Sequence, residues 1–346
     1  DSIRVGDSLT SADRPVSEPI STPPLAPPTL SCLFGANNGP LVGQEGSIVT
    51  SSKIRARLIS ETDNNVTLTV ESCIEDAEKT LVFGRGELQL GILIEQMRRE
   101  GYEIIISPPA VVTNICPDTG KKTEPYEEVV VDVDAEYSGS VIDSLTGARK
   151  GVLVEMMDDA SDGKTRLLFE IPSRGLLGFH SDIATVTRGT AVVHHCYLDD
   201  REYAGALGSK LERGKLVSCE LGKATLFALA SIAERGTLFV EPGDMVYPGM
   251  IIGEYNKVTG GDLEVNPVRA KATTNIRTVL KEEKAYLPPP KRLTVEELIG
   301  YMNDDEIIEV TPKSVRLRKV ELDSGARERA ARVKKKRLQA QMQKKK

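Results

Sequence analysis

FGRGELQLGILIEQMRREGYEIIIS, residues 83–107, decides how this chain is read. Its centre is helical, because Leu90, Leu93, Ile94 and Met97 recur at three- and four-residue intervals and so share one face. Gly84 and Gly86 turn the chain out of an apolar strand at 80–83. Glu87 then falls in the first helical turn, where the helix dipole favours an anion. Gly101 ends the helix, and 102–107 (YEIIIS) returns as a strand.

Working outward, 30–35 is an apolar strand, and Ser51 or Ser52 can cap a helix carrying Ile54 and Leu58 one turn apart. Residues 66–70 (VTLTV) alternate as a strand should. The pattern then repeats. Val129, Val131 and Val133 alternate with polar residues in 127–137, and Val141, Ile142 and Leu145 mark a helix closed by Gly147 or Gly151. Residues 152–156 and 166–171 are strands around the turn Ser161-Asp162-Gly163. Leu176, Phe179, Ile183 and Val186 make the next helical face, and 190–197 (TAVVHHCY) closes as a strand. Each copy is β-α-β-β-α-β, the order of a ferredoxin-like split βαβ domain. The expected class is α+β, with two tandem ferredoxin-like domains at 29–107 and 108–200.

Pro15, Pro19, Pro23, Pro24, Pro27 and Pro28 make 1–28 an extended connector leaving an earlier domain. From 201 to 322 the short apolar segments 216–220, 224–230, 237–240 and 250–255 alternate with glycine turns, which favours a small β-rich domain. Within it Thr294 and Glu297 form a capping box ahead of Leu298, Ile299 and Met302, and 306–312 and 314–319 read as a strand pair. A basic tail occupies 323–346.

Charge is unevenly spread. Residues 313–346 hold 14 Lys/Arg against Glu321, Asp323 and Glu328, a local +11, so 1–312 must carry −17 for the total of −6. Such a tail, with Lys334-Lys335-Lys336-Arg337 and Lys344-Lys345-Lys346, suits a polyanion whose counterions are released on binding, or else a solvated extension. At 346 residues two or three domains are expected. No run approaches the ~18 apolar residues of a membrane span. The five cysteines form no CxxC pair and fit a reducing compartment, and Asp1 is not a start methionine, so a longer parent is expected. With no Trp and 4% aromatics, RNA would be gripped by phosphate and shape rather than by base stacking.

Catalytic patterns fail on inspection. A phosphate loop needs GxxxxGK[ST], yet 208–215 has one residue too many with Leu216 in place of the hydroxyl, and Gly222-Lys223 is followed by Ala224. His194 and His195 are adjacent on a strand and point to opposite faces, so they cannot chelate one ion together. Asp304, Asp305 and Glu306 read as a solvated turn beside a helix end. The basic candidates are Arg174, next to Ser173 at a helix start suited to an anion or to simple capping; the polar loop carrying Lys271, Arg277, Lys281 and Lys284; and Lys291 with Arg292 after Pro288-Pro289-Pro290. The loop reads equally as an arm that touches phosphates or as a solvated hairpin.

FGRGELQLGILIEQMRREGYEIIISPP resembles the third domain of the elongation factor G class. IPSRGLLGF (171–179), TVTRGTAVV (185–193), TNIR (274–277) and DDEIIEVTPKSVRLRK (304–319) resemble the BipA/TypA family of ribosome-associated translational GTPases. The likeness runs from about 6 to 319. It implies an amino-terminal GTPase domain and a β-barrel ahead of these residues, with GTP and magnesium held there and no cofactor or catalytic site here. It also implies binding in the ribosomal A-site region and roles in large-subunit assembly and translation under stress. The loop corresponding by motif to 275–284 would reach the tRNA acceptor arm. Arg277, Lys281 and Lys284 are then the preferred RNA contacts, with Lys271, Lys291, Arg292, Arg174, Arg316, Arg318 and Lys319 in support. A monomer is expected, in the cytoplasm or a chloroplast stroma. Two other readings stay open: a ligand-sensing regulator, since tandem ferredoxin-like domains also bind small molecules, and a metal hydrolase using His194 or His195.

Overall fold

The computed structural model describes residues 8, 10–15, 18, 26–74, 76–116, 120–159, 163–207, 214–257, 261–270, 287–330, 332 and 333. Two compact units are present: Asp1–Lys210 with Val295–Tyr301 and Val310–Lys313, and Leu211–Thr294 with Met302–Glu309 and Ser314–Lys346.

The first unit opens with β1 (Leu30–Ala36), α1 (Ser51–Asn64), β2 (Thr69–Ser72), β3 (Thr80–Gly84), α2 (Glu87–Arg99) and β4 (Ile104–Ile106). The sheet order is β4-β1-β3-β2 and every pairing is antiparallel, with Leu30 opposite Gly84 and Phe34 opposite both Thr80 and Ile106. Both helices cover one face, where Ile54, Leu58, Leu90, Ile94 and Met97 are buried together with Phe34, Val82 and Ile104. Helix α1 is capped from Thr50, one residue before the serines the sequence suggested, and no side chain closes the cap. The loop between β1 and α1 is held from within by Glu103. This carboxylate, fully buried, accepts from the amides of Gly46 at 2.6 Å, Gly43 at 2.8 Å and Glu45 at 3.2 Å, and from Asn37 Nδ2 at 3.4 Å.

Short pairings at β5 (Ala110–Val111) and β6 (Asn114–Ile115) lead to the second module: β7 (Lys122–Asp134), α3 (Ser138–Thr146), β8 (Val152–Asp159), β9 (Lys164–Pro172), α4 (Phe179–Val186) and β10 (Val192–Glu202). Its order, β10-β7-β9-β8, repeats that of the first. The alternation at Val129, Val131 and Val133 puts these side chains in one core with Leu167, Phe169, Ile171, Val141, Leu145 and Ile183. The second helical face is not continuous as the sequence suggested. Ser173–Leu176 is a 3-10 turn, Gly178 takes φ +68°, and α4 starts only at Phe179. Val186 consequently lies at the surface.

The second unit contains β11 (Lys215–Ser218), β12 (Gly222–Lys223), α5 (Leu226–Ala233), β13 (Gly236–Leu238), β14 (Met245–Val246), β15 (Ile251–Tyr255) and β16 (Leu263–Val265). The order is β13-β15-β11-β16, with β16 parallel to β11, and β12 pairs β14. Residues 224–230, expected as an extended apolar segment, instead supply most of α5. Thr225 accepts from the Ala228 amide at 3.2 Å and so starts a helix. Helix α6 (Val295–Tyr301), expected within the carboxy-terminal domain, groups with the first unit, whereas β17 (Glu306–Val310) and β18 (Val315–Lys319) pair with each other.

The reason α6 sits with the first unit lies in glycines. A Cβ on Gly91 of α2 would stand 2.7 Å from Glu296 Cγ, and one on Gly300 would stand 2.6 Å from Gly178 Cα. At the same point the Gly178 amide donates to Glu87 Oε1 at 2.6 Å. The GRGE turn of the first module thus grips the glycine break of the second, and α6 closes over both.

Candidate nucleic-acid interface

The chain enters residues 271–286 from a clamp on α5. Thr225 N donates to Pro267 O at 2.9 Å, the Thr225 hydroxyl donates to Arg269 O at 2.6 Å, and Val268 N donates to Asn266 Oδ1 at 3.0 Å. On the return, Lys291 N donates to Leu238 O on β13 at 2.8 Å. Both approaches to the basic segment are therefore fixed on regular elements of one unit. Lys271, Arg277, Lys281 and Lys284 lie outside the described residues, as do Lys334–Lys336 and Lys344–Lys346 of the tail.

Lys291 and Arg292 are exposed, and Arg292 reaches Glu241 at 2.7 Å while remaining 82% exposed. At that exposure the pair contributes little to stability and leaves the guanidinium open to an anion. Two further exposed cations, Lys223 on β12 and Arg269, flank the same clamp beside exposed Leu226 and Phe227. Neither stands out in the sequence, where Lys223 reads only as part of a failed phosphate loop.

Four of the expected contacts are corrected by burial. Arg174 donates to Glu124 Oε2 at 2.5 Å and Oε1 at 3.0 Å and stacks 4.3 Å from the Tyr203 ring. Glu124 is fully buried, so Arg174 is its counter-charge and not a phosphate ligand. Ser173 donates to Pro125 O rather than capping an anion site, and Arg149 from α3's end braces the Gly175 and Leu177 carbonyls and Asp182. In the second unit Arg316 and Arg318 face the buried Glu309 at 3.3 and 3.7 Å, and Tyr247 donates to the same carboxylate at 2.6 Å. Lys319 meets Asp262 at 2.7 Å, Asp305 at 2.9 Å and Glu306 at 3.0 Å with its side chain 2% exposed. Asp304 and Asp305 are an exposed turn, as expected, whereas Glu306 is buried and opens β17. Arg316, Arg318 and Lys319 of the SVRLRK strand, expected as supporting RNA contacts, are instead internal counter-ions.

Lys215 shares Glu306 with Lys319 but sits 4.0 Å from it. Burial lowers the Lys215 ammonium to about 8, with Glu306 only partly offsetting it. Burial also opposes the Lys319 charge, but Glu306, Asp262 and Asp305 together hold it above the usual lysine range. The two shifts differ in sign because burial outweighs the carboxylates around Lys215, whereas three carboxylates within 3.0 Å outweigh it at Lys319. A base depressed in the folded state binds fewer protons than in the unfolded chain, so stability rises with pH from about 8 up to the ordinary lysine value. Thermal unfolding of the second unit is expected to move upward between pH 8 and 10, and Lys215→Met is expected to flatten that rise.

His195 and His180 have structural partners. His195 Nδ1 lies 2.6 Å from Glu127 Oε2, and its ring is 6.2 Å from that of His180. The Glu127 hydrogen bond raises His195, while burial and then the neighbouring His195 charge lower His180. The His195 contribution is therefore complete below the ordinary histidine value and fades as pH rises through the raised one. In a ring-proton NMR titration His180 is expected to deprotonate at lower pH than His195, with Glu127→Gln bringing the two midpoints together. Among the described residues no group of three or more His, Cys, Asp or Glu could hold a metal ion. Nor is any described helix long and apolar enough to cross a membrane.

Residues 121–211 match the elongation factor G C-terminus family, and 213–324 match the TypA/BipA C-terminal domain. The chain is 42% identical over 334 residues to the large ribosomal subunit assembly factor BipA of Bacillus subtilis, covering 96% of this chain and 53% of that protein. It is 42% identical over 316 residues to the protein of the same name from Synechocystis sp., covering 91% and 51%. For the Escherichia coli K12 protein of that name the identity is 43% over 307 residues, covering 88% and 49%. Paired split-βαβ modules with these matches define a chain that carries an elongation factor G-type carboxy-terminal module followed by a TypA/BipA C-terminal domain. Within that class it belongs to the BipA/TypA family, and it spans about half the length of the curated relatives it matches.

Proposed function

We propose that this chain is the ribosome- and RNA-binding portion of a BipA/TypA-type translational GTPase acting in large-subunit assembly. The observation that carries the reading is the succession, in one chain, of an elongation factor G carboxy-terminal module and a TypA/BipA C-terminal domain. GTP and magnesium would be held by a part of the protein outside these residues, and the modules described here would dock it. Contacts in the A-site region and with a tRNA acceptor arm fall to the 271–286 segment, through Lys271, Arg277, Lys281 and Lys284. The exposed Lys291, Arg292, Lys223 and Arg269 surround its approaches. A cytoplasmic or chloroplast-stromal site of action fits this reading, with the chain acting as a monomer.

Co-sedimentation with purified large ribosomal subunits across a salt series tests this. Binding is expected to weaken steeply with salt, because each neutralised phosphate releases counterion. Arg277→Ala with Lys281→Ala is expected to weaken binding and lower the slope of log K against log salt by roughly 1–2. No binding by the unaltered chain even in dilute buffer would refute the function. An unaltered slope in the double variant would refute only the loop assignment.

A further inference from the structure

The outer edge of the second module carries a different kind of surface. Among the described residues strand β8 ends the sheet order and pairs only with β9. Val152, Val154, Met156 and Met157 along it are 60%, 53%, 46% and 51% exposed. Folded proteins usually blunt such an edge with lysine, proline or a bulge. Here the bulge lies between Leu153 and Glu155, and from Glu155 onward the pairing with β9 is regular, so an edge competent to pair remains.

The face that continues from this edge, opposite the helices, has a distinct charge pattern. Val152 registers with Glu170, Glu155 with Leu168, and Asp132 with both Arg166 and Val192. Arg166 is chelated by Asp132 at 2.7 and 2.8 Å, and Arg201 is held by Glu170 at 2.5 Å and Asp199 at 2.7 Å. Arg166 and Arg201 are thus already matched and Lys164 is exposed at the end of β9, while Glu155 and Asp158 line the edge itself.

We propose that β8 and this acidic apolar face bind an extended, lysine- or arginine-rich polypeptide segment by strand addition. Backbone pairing supplies the attachment and side chains of period two supply the selection. Either register suits an alternating basic and apolar strand, since Glu155 lies on one face of β8 and Asp158 on the other. Phosphodiester backbone is disfavoured by the same carboxylates. A second copy pairing β8 to β8 would set Glu155 and Asp158 against their own kind, which is destabilising.

The test uses a fluorescein-labelled octapeptide of alternating lysine and valine, its glutamate–valine counterpart and a uridine dodecanucleotide, with binding read by anisotropy. No ribosome is present, so its outcome is separate from that of the ribosome reading. The lysine–valine peptide is expected to bind and to slow amide exchange at residues 152–159. Glu155→Lys, a change at an exposed position, is expected to weaken it about tenfold, or about 1.4 kcal/mol. Equal binding of the glutamate peptide, binding unchanged in Glu155→Lys, preference for the oligonucleotide, or no binding of the lysine peptide would each overturn the proposal. So would self-association that Met157→Lys abolishes.

Discussion

Glu103→Ala is expected to lower the stability of the first unit by about 3–5 kcal/mol, the largest effect of any single substitution in that module. The carboxylate has no exposure and takes three backbone amides, from Gly43, Glu45 and Gly46, plus the Asn37 side chain. Alanine takes this acceptor from the half-buried Glu45 and Gly46 amides and the buried Asn37 side chain, and losing the acceptor of a desolvated donor costs more than a hydrogen bond contributes. A Cβ on Gly46 would lie only 2.4 Å from Glu103 Cγ, so the loop is already drawn tightly onto this side chain. Differential scanning calorimetry should show a fall in Tm on the order of 10 °C. Glu103→Gln, which keeps an acceptor oxygen, should lose markedly less. Equal losses in both variants would mean that packing, and not the amide cradle, sets the stability of this loop.

Lys319→Met is the counterpart in the second unit, with an expected loss of about 3–5 kcal/mol. The methionine fills similar space, so the penalty comes from charge. Glu306 is fully buried, and without Lys319 its nearest cation is Lys215 at 4.0 Å. Asp262 and Asp305 are 36% and 64% exposed and can turn to water, whereas Glu306 cannot. The decisive comparison is the double variant Lys319→Met with Glu306→Leu, which removes both charges. Denaturant unfolding should show much of the loss recovered, since replacing a buried pair by apolar residues is often neutral. A double variant as unstable as the single one would show that the remaining carboxylates or the Asn303 amide, which donates to Glu306 at 3.0 Å, carry the effect.

Much of the fold was legible because the apolar positions of its regular elements repeat at helical or strand spacing. Leu90, Leu93, Ile94 and Met97 were read as one face and are buried as one face, and Val129, Val131 and Val133 alternate into a common core. Order in the chain then followed from the succession of those periods, twice over. Where the sequence misled, local signals competed with partners distant in the chain. Residues 224–230 are apolar but for Thr225, and such a run suits strand or helix until Thr225 finds the Ala228 amide and the Arg269 carbonyl. Residues 176–186 carry a helical period that Gly178 interrupts, because its amide is claimed by Glu87 from the other module.

The candidate site was less legible, for an electrostatic reason. A lysine or arginine in a sequence has the same charge whether it faces water or a carboxylate. Arg174, Arg316, Arg318 and Lys319 looked like a phosphate-binding set, yet their counter-ions Glu124, Glu309 and Glu306 come from other elements.

By itself the sequence determined the α+β class, the repeated β-α-β-β-α-β order and the family likeness, since periodicity and motif spacing are properties of neighbouring residues. Tertiary structure alone decided which cations are structural and which are exposed, where α6 belongs, and that β8 presents an acidic apolar edge. Those outcomes depend on what a side chain meets across the fold, and burial turns a mobile surface charge into a fixed partner.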